Sequence, residues 1–168
     1  MPGKIASQKC HNTIDMGDMT LELYSFGGMH TDSDIVIFIP EEGLVAVGDM
    51  PPDQWLPYIR KELTSDFSVT LEHWGRIVES KWDIKHLNMA HSDMHLSVET
   101  FKEQYRYLHT LWQGLSEMHR QGLKIEDAKK KYTIEADFPY FKDRIVQTSK
   151  GNILEYNIEA IWERISKK

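Results

Sequence analysis

Apolar and polar positions alternate with a period of two early in the chain and recur at helical spacing later. In residues 19–26, Leu21, Leu23 and Ser25 share one face and Thr20, Glu22 and Tyr24 the other, which predicts a half-exposed strand. Asp34-Ile35-Val36-Ile37-Phe38-Ile39 is apolar on both faces, as in a strand that needs cover on each side. Pro40-Glu41-Glu42-Gly43 reads as a turn, and Leu44-Val45-Ala46-Val47-Gly48 as a second buried strand, so residues 34–48 form an expected hairpin. Pro51-Pro52 stops regular structure.

From there the period changes. Leu71, Trp74, Ile77 and Val78 predict a helix over 68–80, and residues 84–89 a short strand. A long helix is expected over 97–121, with Phe101, Tyr105, Leu108, Leu111, Trp112, Leu115 and Met118 on its inner stripe, Ser97 as N-cap and Gly122 closing its end. A short helix over 125–132 and a last one over 152–165, with Leu154, Ile158, Ile161, Trp162 and Ile165 inward, complete the prediction. The fold class is therefore α/β of the α+β type, β-rich first and helical afterwards.

Composition narrows the function classes. The 168 residues make one domain, 1–168, with about 1–15 as a loose N-terminal segment. The net charge of -6 speaks against general nucleic-acid binding, which wants a basic face. No apolar run has membrane-spanning length, and the first residues lack a signal-peptide core, so no membrane is expected and the expected location is cytoplasmic. One cysteine, Cys10, excludes an internal disulfide framework and fits a reducing compartment. No P-loop or dinucleotide fingerprint occurs, and no serine or cysteine stands out as a nucleophile, which leaves the catalytic residues unknown.

Of the eight histidines, His11, His73, His86, His109 and His119 read as surface or packed imidazoles. Three acidic or imidazole residues sit differently. His30 lies in the Gly-containing turn between two expected strands, Asp49 directly follows the second buried strand, and His91 follows the short third one. Side chains at strand ends can converge, and imidazole nitrogen with carboxylate oxygen suits zinc, iron or manganese. The plainer reading of Asp49 is a turn carboxylate accepting backbone N–H bonds.

The run from Gly27-Gly28-Met29-His30-Thr31 through the 34–48 hairpin to Gly48-Asp49 resembles the second half of a metallo-β-lactamase-fold domain. There a Gly-x-x-His-Thr turn, a buried strand, a Pro-Glu-Glu turn and a strand ending in Gly-Asp follow in that order. Residues 66–82, 87–92 and 97–132 are similar to the helix, the last-ligand loop and the closing helices of that family. The resemblance implies metal ligation by His30, Asp49 and His91, with one or two zinc ions expected and iron or manganese as alternatives. It implies a metal-dependent hydrolase or a portion of one, with lactams, thioesters, phosphoesters and lactones all open as substrates.

Two departures qualify the match. The family's His-x-His-x-Asp-His motif is absent, and no His-x-His occurs in the sequence. Ala90-His91-Ser92 replaces Pro-Gly-His-Gly, while Asp93 and His95 add ligand types that the resemblance does not assign. The chain then supplies one half of an αββα sandwich, and one face of its sheet lacks cover. That implies a homodimer or a separate N-terminal half. The alternative is a non-catalytic, degenerate relative that acts as a dimeric binding or structural protein.

Overall fold

The computed structural model describes residues 10–25, 31, 33–48, 55–59, 67–90, 97–149 and 151–167. Strands β1 (Cys10–Asp15), β2 (Thr20–Ser25), β3 (Val36–Ile39), β4 (Leu44–Ala46) and β5 (His86–Asn88) form one sheet in that order. The first four pair antiparallel, and β5 pairs parallel with β4. Helix α1 (Phe67–Val78) lies between β4 and β5 in the chain. Helices α2 (Val98–Arg120), α3 (Ile125–Lys131), α4 (Ile134–Asp137) and α5 (Ile153–Ser166) follow, with a small hairpin of β6 (Gln147–Thr148) and β7 (Gly151–Asn152) before α5. This is the α+β arrangement expected from the periodicity.

The 34–48 hairpin forms as its pattern predicts, with Ile37 opposite Ala46 and Phe38 opposite Val45. Its turn needs Gly43, whose φ is +60° and whose absent Cβ would stand 2.5 Å from the carbonyl oxygen of Asp83. Asn152 caps α5 by accepting from the amides of Leu154 and Glu155 at 2.8 and 3.2 Å. Ser97 makes no side-chain capping bond to α2. At its other end the amides of Gly122 and Leu123 return to the carbonyls of His119 and Met118.

The segment expected to be loose contains a strand. Cys10–Asp15 is β1, zipped to β2 along its length from Cys10 opposite Ser25 to Asp15 opposite Thr20. Residues 1–9 lie outside the described residues. Two further elements, α4 and the β6–β7 hairpin, have no counterpart in the sequence reading, because a four-residue helix and two-residue strands are too short to show a period.

The two sheet faces differ sharply. Tyr24, Val36, Phe38, Val45, Val47, Leu87 and Met89 are buried and belong to one core with Leu71, Trp74 and Ile77 of α1 and Phe101, Leu108, Leu111 and Leu115 of α2. Trp82 stacks on Phe38 with centroids 4.6 Å apart and also meets Tyr24. Packing of α1 on α2 and α2 on α5 thickens this side. The other face carries Leu21, Leu23, Ile37, Ile39, Leu44 and Ala46, all only half-buried. Ile35 at its rim is 53% exposed and Ile14 41%. In β2 it is thus Tyr24, from the more polar-looking face, that enters the core, because the helices and Trp82 lie on that side.

On α2 the buried set is Phe101, Leu108, Leu111, Leu115 and Met118 together with Thr100, Gln104 and Tyr107; Tyr105 and Trp112 are half-buried at the flank. No helix among the described residues is long and apolar enough to cross a membrane.

Candidate functional site

Three chain segments arrive at one end of the sheet. Val36 pairs with Tyr24, so β2 leaves and β3 enters there. Ala46 lies between Ile37 and Asn88, so β4 and β5 both run out at that end. The parallel ladder continues past the strands. The amide of Val47 donates to the Asn88 carbonyl at 3.0 Å, and the amide of Ala90 donates to the Gly48 carbonyl at 2.8 Å.

Gly48 and Ala90 are the residues directly before Asp49 and His91. These two described neighbours are the partners of a single hydrogen bond. Gly48 has φ +60°, a left-handed conformation at the point where the chain must turn out of β4. That accounts for a glycine before Asp49 in structural terms.

The third candidate precedes Thr31. The amide of Thr31 donates to Asp34 Oδ2 at 2.8 Å and its hydroxyl to Asp34 Oδ1 at 2.6 Å. The Ser33 amide closes the turn onto Thr31 Oγ1 at 3.3 Å. A two-pronged carboxylate therefore clamps the entry to β3 at the same sheet end. His30, Asp49 and His91 themselves, like Asp93 and His95, lie outside the described residues. Of their described neighbours, Gly48 and Ala90 are directly bonded, and Thr31 lies in the turn that leads into β3.

The remaining histidines occupy ordinary structural settings. His109 stacks on Tyr105 and lies 3.2 Å from the amide nitrogen of Gln113. His119 lies edge-on to Trp162 and 3.3 Å from the Ser166 hydroxyl. His73 is buried in α1, and His86 is half-buried in β5; the side chain of His11 lies outside the described residues. Among the described residues no cluster of three histidine, cysteine, aspartate or glutamate side chains could hold a metal ion.

Tyr24 and Tyr107 are phenols buried in the fold. Tyr24, near the end of β2, donates its hydroxyl to Glu22; burial, with that carboxylate beside it, pushes its pKa well above the usual range. Burial does the same to Tyr107, against the opposing bond to Asn157.

Sequence reasoning passed over Asn157. It is fully buried in α5, accepts from the Ile59 amide at 3.0 Å, and donates to the Pro57 carbonyl and to the Tyr107 hydroxyl. Its position between Leu154, Ile158 and Ile161 on the apolar stripe was the available signal: a polar side chain there needs partners. It ties residues 55–59, the next described segment after Asp49, to the helical layer, and the Leu56 amide bonded to the Ile145 carbonyl at 3.0 Å adds a second tie.

Comparison with family models finds no match, and comparison with curated proteins finds none. Solved structures do match. A double mutant of the sec-alkylsulfatase PisA1 is similar at a TM-score of 0.68 and 16% identity, over 96% of this chain and 26% of that one. The stereoselective inverting sec-alkylsulfatase Pisa1 from Pseudomonas sp. is similar at 0.66 and 16%, over 94% and 26%. This chain thus spans about a quarter of the length of these enzymes. At such identity the likeness shows the fold alone: this chain folds like part of these sec-alkylsulfatases.

Proposed function

We propose that the chain is the C-terminal half of a metallo-β-lactamase-like, metal-dependent hydrolase, with His30, Asp49 and His91 as its share of a zinc site. The observation that carries this reading is the hydrogen bond between Ala90 and Gly48, which sets the residues before His91 and Asp49 side by side at the sheet end where the Thr31–Asp34 turn also lies. The donor chemistry fits: two imidazoles and a carboxylate are common zinc ligands, and three protein ligands leave a position open. When bound, the metal supplies a hydroxide nucleophile and polarises the scissile bond. The chain's own contribution is to hold the three segments on a rigid sheet above a packed core.

The remaining ligands come, in this reading, from outside this one chain: from the His30, Asp49 and His91 of a second copy, or from a separate N-terminal half seated on the open sheet face. The half-buried Leu21, Leu23, Ile37, Ile39 and Leu44 support that cover, because an apolar sheet face of this size marks an interaction surface. Secondary alkyl sulfates are the first substrates to assay, given the structural neighbours, with lactones, thioesters and phosphoesters beside them. A second reading, a non-catalytic relative that keeps the scaffold, is favoured by the missing motif.

The test is metal content and hydrolysis of the protein purified from its own cells with whatever co-purifies, for wild type, His30→Ala and Asp49→Asn. Both variants are expected to lose most of the metal, remain folded, and lose hydrolysis in parallel with the metal. Full metal content in both variants overturns the ligand assignment. Metal without any hydrolysis favours the second reading.

A further inference from the structure

We draw no further inference here: the strongest candidate, the half-buried aliphatic face of the sheet formed by Leu21, Leu23, Ile37, Ile39 and Leu44, carries nothing beyond the cover already proposed for it, because nothing among the described residues shows what lies on it.

Discussion

Replacing Asn157 by alanine strands three groups at once. The Ile59 amide, the Pro57 carbonyl and the Tyr107 hydroxyl all lose a partner in a place where Asn157 and Tyr107 are almost entirely shielded from water. Each buried polar group left unsatisfied costs about 1–3 kcal/mol. A water molecule entering the vacated space recovers part of this, since it finds three polar partners there. The expected loss is about 3–5 kcal/mol. Tyr107→Phe removes only the 2.8 Å bond and leaves Asn157 its Pro57 and Ile59 contacts, so it costs about 1 kcal/mol.

The two changes are coupled. With the Tyr107 hydroxyl already gone, Asn157→Ala strands one group fewer, and the double variant loses about 1 kcal/mol less than the sum. Urea unfolding followed by circular dichroism gives all three values, with an unchanged m-value as the check that the same transition is observed. A loss below about 1 kcal/mol for Asn157→Ala, or strict additivity in the double variant, refutes the network as described.

Other expectations follow from the same geometry. Phe38→Ala, which removes a 6%-exposed ring stacked on Trp82, is expected to cost about 3–5 kcal/mol. Ile37→Glu, one residue along on the open face, is expected to cost the isolated chain about 1 kcal/mol while abolishing assembly; an assembly mass by light scattering equal to the wild type removes the partner from that face. At high pH, Tyr24 and Tyr107 hold their protons in the folded chain, whereas unfolded tyrosine ionises at about pH 10. Their contribution to stability is complete below that pH and declines as the pH rises beyond it, because the unfolded state then binds fewer protons. Phenolate absorbance therefore ends in a cooperative step that coincides with unfolding. A smooth titration of all seven tyrosines in a still-native chain contradicts the burial.

The elements that could be read in advance were those with a long period or a strong turn. The 34–48 hairpin, α2 and α5 were visible because their apolar residues repeat over several turns or pair around Pro40 and Gly43. The two-sided apolar pattern of β3 also asked for cover on both faces, and among the described residues the face with Ile35 and Ile37 is the less covered. What escaped was set by tertiary context. Tyr24 enters the core only because Trp82, in the connection before β5, packs across it. The strand character of Cys10–Asp15 comes from pairing with β2, since Asn12 and Asp15 carry little β-propensity of their own. For the candidate site, the order of its three segments was legible from the resemblance. The bond between Ala90 and Gly48 was not, since parallel pairing across a helical crossover leaves no local mark.

The most direct test of the central claim is the zinc, iron and manganese content of the purified native protein, by elemental analysis on a sample of known mass. The strand-end site predicts about one metal ion per chain, most of it lost from His30→Ala and from Asp49→Asn. A native protein without metal, or variants that keep all of it, would contradict the account.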